Sequence, residues 1–106
     1  MEPEPFTVAT EEGADGVLVA PRGELDLATQ GELRAVLEAA MRSSHVTLDL
    51  GGLRFLDTSG LRLILETAEA SRRDGFAFAV LPGAPAVQRL FEVAGVTELV
   101  PFEDRT

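Results

Sequence analysis

Aspartate, threonine and serine stand side by side at Asp57-Thr58-Ser59-Gly60, between the apolar run Leu53-Arg54-Phe55-Leu56 and a helical pattern that opens at Leu61. Each of the three side-chain oxygens can accept a hydrogen bond from the free N–H groups of a first helical turn, and read alone the group looks like an ordinary helix N-cap. A hydroxyl is also a nucleophile if a base lies within hydrogen-bond reach. The only histidine, His45, precedes the strand that begins at Val46, whereas Ser59 follows the other end of that strand. Five strand residues span roughly 16 Å, so His45 does not serve this hydroxyl. The Gly-x-Ser-x-Gly elbow is missing, because Asp57 and Leu61 occupy its glycine positions. Lysine is absent from the chain, which excludes the phosphate-binding Gly-x-x-x-x-Gly-Lys loop. Glu24 and Asp26 form a second polar pair, assigned to a loop after the second strand. A small hydrolase built on Ser59 therefore lacks its base, and no catalytic residue is expected.

These residues are positioned by short strands and three amphipathic helices. Phe6 to Glu12 reads as an edge strand, Gly13-Ala14-Asp15-Gly16 as a turn and Val17 to Ala20 as a buried strand, together a hairpin. Leu33, Val36, Leu37, Ala40 and Met41 share one helical face. That helix starts near Ala28 or Thr29 and stops at Ser43-Ser44. Val46, Leu48 and Leu50 alternate with polar residues as in a strand. Leu61, Ile64, Leu65 and Ala68 make the second helical stripe, stopped by Asp74-Gly75. Phe76 to Leu81 is a core strand, Val87 to Ala94 a third helix capped by Gly95, and Glu98-Leu99-Val100 a short last strand. The order β-β-α-β-α-β-α-β predicts an α/β fold: a mixed, mainly parallel sheet of four to five strands with three main helices packed against it. Residues 6–102 form one domain, with flexible ends at 1–5 and 103–106. The Asp57–Gly60 loop follows a strand and opens a helix, a favoured place for sites in such sheets.

The chain has 106 residues, 45% of them apolar, enough for one packed core. Cysteine is absent and histidine occurs once, so no disulfide, metal site or cofactor is expected. The net charge of −9, with all nine cations arginine, makes nucleic acid a poor partner and suits a basic protein surface. No run approaches the roughly 18 apolar residues of a membrane span. The N-terminal Met-Glu-Pro-Glu-Pro has none of the marks of a signal peptide. A cytoplasmic protein without membrane contact is expected.

Three segments resemble the STAS-domain anti-sigma-factor antagonists of sporulation and stress-response control. Gly23-Glu24-Leu25-Asp26 is similar to that family's Gly-Glu-Leu-Asp segment, Leu53 to Leu61 to its phosphorylation loop, and Pro85 to Gly95 to its last helix. The resemblance spans about residues 6–102. It implies a non-enzymatic switch in which Thr58, the hydroxyl residue after the aspartate, is phosphorylated, with Ser59 the second candidate and Asp57 and Gly60 completing the loop. Many members carry serine where this chain has Thr58. The resemblance further implies that the unphosphorylated form binds an anti-sigma factor with serine/threonine kinase activity, freeing the sigma factor, and that a phosphatase reverses the modification. Glu24, Asp26, Asp57 and Arg62 are the expected partner contacts. The alternative is a STAS accessory subunit in another assembly, such as a lipid-transport ABC system. A phosphate adds about −1.5 to −2 charges. At a helix N-terminus it is expected to meet free N–H groups and the positive end of the dipole, so that its cost falls on the partner surface.

Overall fold

A computed structural model describes residues 5–105; residues 1–4 and 106 are outside the description. The flexible N-terminus assigned to 1–5 therefore lies outside the described residues apart from Pro5, which is exposed. The elements are β1 (Thr7–Glu12), β2 (Val17–Leu25), α1 (Gln30–Ala40), β3 (His45–Asp49), β4 (Leu53–Leu56), α2 (Thr58–Asp74), β5 (Ala77–Leu81), α3 (Pro85–Ala94) and a 3-10 turn at Thr97–Leu99.

β1 and β2 pair antiparallel from Thr7↔Arg22 to Glu12↔Val17, closed by a hydrogen bond from Gly13 N–H to Gly16 O at 2.8 Å. β2 pairs parallel with β3, and β3 with β5, giving the order β1-β2-β3-β5. Alternation builds the core. Val19, Pro21, Gly23 and Leu25 of β2, Val46 and Leu48 of β3, and Phe78 and Val80 of β5 are buried, while their neighbours in sequence are half-buried or exposed. Leu33, Leu37 and Ala40 of α1 and Leu61, Ile64 and Ala68 of α2 close the core, as do Val87 and Phe91 of α3. Phe91 meets Phe102 edge to face at 5.1 Å.

The expected class, with five strands and three helices, is observed, but two element assignments change. Leu53–Leu56, read as part of a crossover loop, is a strand paired with the second half of β2 through Gly23↔Leu53, Glu24↔Phe55 and Leu25↔Leu56. Arg54 is the extra residue of a bulge, which is why the segment shows no alternation. Gly23, at φ 101°, supplies the matching irregularity in β2, in a conformation that favours glycine. The last strand expected at Glu98–Val100 is replaced by the 3-10 turn. The strand-like pairing falls later, with Val80 N–H donating to Pro101 O and Glu103 N–H to Val80 O. Within the tail assigned to 103–106, Arg105 pairs with Asp49 and donates to Pro82 O.

Candidate functional site

α2 begins where β4 ends, and Asp57 makes the joint. Its backbone N–H donates to Leu25 O at 3.1 Å, prolonging the β2–β4 pairing by one bond. Its extended backbone (φ −108°, ψ −175°) turns the chain into the helix, and Oδ1 accepts from Ser59 N–H at 2.9 Å and Gly60 N–H at 3.1 Å. The Ser59 hydroxyl donates to the same oxygen at 2.6 Å. Partial burial pushes the Asp57 carboxyl upward, but the Ser59 hydroxyl and the N–H groups of Gly60, Ser59 and Leu27 outweigh it and hold the pKa below the ordinary 3.8. Gly60 is buried, and a Cβ there would lie 2.6 Å from Leu56 Cδ1 and 2.7 Å from Leu25 Cγ. A glycine is what lets the first turn of α2 seat against the ends of β2 and β4.

This geometry separates the two hydroxyls. Thr58 is the first residue of the helix, exposed, and its hydroxyl has no hydrogen-bond partner among the described residues. Ser59 is half-buried and its hydroxyl is committed to Asp57. The expectation that a phosphate would meet free N–H groups holds at most for that of Thr58 itself. Asp57 already occupies those of Ser59 and Gly60, and Leu61 N–H donates to Asp57 O at 3.0 Å. Asp57 is also a poor general base for Ser59, because a carboxylate held below its usual pKa has little affinity for the hydroxyl proton. His45 is exposed at the opposite end of β3.

The Gly23–Asp26 segment is brought to the same place. Asp57 Oδ2 accepts from Leu27 N–H at 3.2 Å, tying the β2–α1 loop to the start of α2. Asp26 turns that loop inward, its Oδ1 accepting from Ala28 N–H at 3.0 Å, Thr29 N–H at 3.1 Å and the Thr29 hydroxyl at 3.2 Å. The Asp26 carboxylate is thus occupied in holding the loop. Glu24 lies within β2 rather than in a loop, exposed and paired with Phe55 across the strands. Arg62 is exposed one helical turn beyond Thr58, beside a groove between α1 and α2 that also takes in Arg34, Met41 and Glu66.

Two surface residues escaped sequence reasoning. Leu27 is 75% exposed immediately beside Asp57. Phe55 is 48% exposed and edges a cleft of about 390 Å³ against Leu90 and Val93 of α3. Apolar side chains left in water next to a polar site are what interfaces are centred on. The signal for Leu27 was an apolar residue inside an otherwise polar, turn-forming stretch. Among the described residues no three His, Asp or Glu side chains gather to hold a metal, and no helix is long and apolar enough to cross a membrane.

The matched family model is described as Mlab, STAS domain, and covers residues 8–101. An anti-sigma F factor antagonist of Paenibacillus polymyxa is 33% identical over 93 residues, covering 84% of this chain and 80% of the relative. An anti-sigma-B factor antagonist of Staphylococcus aureus is 28% identical over 86 residues, 79% of this chain and 80% of the relative. Among solved structures, the anti-sigma factor antagonist SpoIIAA in its unphosphorylated form superposes with a TM-score of 0.77 at 22% identity, over 94% of this chain and 89% of that one. The phosphorylated form of Bacillus SpoIIAA superposes with a TM-score of 0.71 at 21% identity, over 96% of this chain and 92% of that one. A family match running from β1 to the residues that pair with β5, on a sheet and helix set of the same architecture, establishes that this chain belongs to the STAS-domain family.

Proposed function

We propose that this protein is an anti-sigma-factor antagonist whose unmodified form binds a kinase-type anti-sigma factor, and that phosphorylation of Thr58 ends that binding. The reading draws on relatives that carry the antagonist name. The observation that carries it at the level of the site is the contrast between two adjacent hydroxyls: Thr58 exposed and unbonded, Ser59 bonded to Asp57. A kinase needs an acceptor that can swing into its own active site, and of the two hydroxyls Thr58 can do so without breaking a hydrogen bond to Asp57.

The chemistry belongs to the partner. The γ-phosphoryl group of ATP passes to Thr58 Oγ1, the P–O bond to ADP breaks, and the hydroxyl proton leaves to the kinase's base. The antagonist supplies a rigid acceptor and a docking surface made of Leu27, Asp57, Thr58 and Arg62, flanked by Glu24. The added dianion lies beside the ionised Asp57, so a partner that closed over this surface must desolvate two neighbouring anions. A coupling of about 3 kcal/mol corresponds to roughly 150-fold in affinity.

The test is incubation with ATP and candidate histidine-kinase-like ATPases, followed by mass spectrometry of parent, Thr58→Ala and Ser59→Ala. Phosphate on Thr58 in the parent and in Ser59→Ala, and none in Thr58→Ala, is expected. Modification at Ser59 alone overturns the assignment, and capture of an ABC ATPase as the bound partner favours the accessory-subunit reading instead.

A further inference from the structure

The occupied cap of α2 poses a problem for a phosphate on Thr58. The N–H groups of Ser59 and Gly60 bond to Asp57, and that carboxylate is ionised beside the modification. The cap leaves at most the Thr58 N–H for a phosphate, and no cation within it. Arg62 is four residues along the helix, so Thr58 and Arg62 are neighbours on one exposed stripe, with Cβ atoms roughly 5–6 Å apart in such pairs. Helical side chains lean toward the N-terminus, which carries the guanidinium back over the turn that holds Thr58. Acid before base at i, i+4 is also the favourable order. By contrast Arg62 and Glu66, spaced alike in the opposite order, form no ion pair, and Glu66 is held by Arg34 of α1 at 2.8 Å. Arg34, Arg72, Arg73 and Arg105 each have an acidic partner; the side chain of Arg62, like those of Arg42, Arg54 and Arg89, has neither ion pair nor hydrogen bond among the described residues, and of these only Arg62 lies on the stripe of Thr58.

We propose that Arg62 is the internal receptor for the phosphate on Thr58, and that the pair withdraws the arginine from the docking surface when the switch is set. The inference rests on the phosphorylation reading above. Modification then changes the surface twice, adding an anion and sequestering a cation that the unmodified form offers to a partner. Bidentate pairing of a guanidinium with phosphate oxygens suits arginine better than lysine.

The experiment installs phosphothreonine at position 58 by genetic encoding and follows the 31P resonance of the folded protein from pH 4.5 to 8. A neighbouring cation favours the dianion, so the second phosphate pKa should be lower in the parent than in Arg62→Gln by about half a unit, a three-fold change in proton affinity, with Arg62→Lys between them. Arg72→Gln, farther along α2, should titrate as the parent does. Equal pKa values in the parent and Arg62→Gln overturn the proposal. Because the phosphate is installed directly, the result does not depend on a kinase: failure of the kinase reaction counts against the proposed function, and an unshifted titration against the role of Arg62 alone.

Discussion

Replacing Asp57 with alanine removes an acceptor that four groups share: the N–H groups of Ser59, Gly60 and Leu27 and the Ser59 hydroxyl. Loss of a helix N-cap costs about 1 kcal/mol, with a range of roughly 0.5–2. The bond to Leu27 N–H crosses between two loops and is exposed, so water replaces it in part and its loss belongs at the low end of about 0.5–1.5 kcal/mol. The sum is about 1.5 kcal/mol, and for a domain of this size that lowers Tm by roughly 6–12 °C. Asp57→Asn keeps one oxygen for the cap but loses the charge and the second acceptor, and should cost about 1 kcal/mol.

The pH dependence follows from the sign of the shift. The Asp57 pKa is lower folded than its ordinary 3.8, so its ionised form stabilises the fold fully above that value, and the contribution disappears as pH falls through the lower, folded pKa. The stability gap between parent and Asp57→Asn should therefore be constant from pH 8 to about 5 and narrow below about 4. Urea unfolding followed by circular dichroism at several pH values measures it. An Asp57→Ala variant within about 0.5 kcal/mol of the parent at pH 7, or a gap to Asp57→Asn that persists unchanged under acid, refutes the reasoning.

Thr58→Ala removes an exposed, unbonded hydroxyl and should leave stability within about 0.5 kcal/mol while abolishing the modification, as read by urea unfolding and mass spectrometry. Gly60→Ala places a methyl against Leu56 and Leu25 and should cost about 1–3 kcal/mol in the same unfolding assay. Leu27→Ala should leave the melting curve in place but weaken partner binding at least ten-fold by calorimetry, as removal of a central apolar anchor does. Arg34→Ala breaks an exposed bridge between α1 and α2 and should cost less than about 1 kcal/mol.

The elements with clear periodicity were legible from the residues alone. α1, α2 and α3 carry apolar stripes, and Gly75 and Gly95 adopt the left-handed conformations expected of helix ends. Asp57 read as an N-cap and is one. β4 was not legible, because four residues containing a bulge at Arg54 have no alternation, and their partner is the Gly23-bearing half of β2, which itself reads as a loop. Only the pairing of these two distant irregular segments makes either one a strand. The C-terminal pairing was displaced from Glu98–Val100 to Pro101–Glu103 for a related reason: the free backbone groups of Val80 choose the partner, and local preference around Val100 does not. At the site, residue types suggested Thr58 and Ser59 alike. What separates them is the 2.6 Å bond from Ser59 to Asp57, together with the exposure of Leu27 beside them, and both depend on how the β2–α1 loop meets α2.

The switch itself is tested most directly by titrating the anti-sigma factor with two preparations of this chain, unmodified and carrying phosphate on Thr58 alone, and comparing dissociation constants by calorimetry. The account predicts a loss of about 100-fold or more on phosphorylation, corresponding to roughly 2.7 kcal/mol, with unchanged far-ultraviolet circular dichroism. Affinities within about two-fold of each other, for two folded preparations, contradict it.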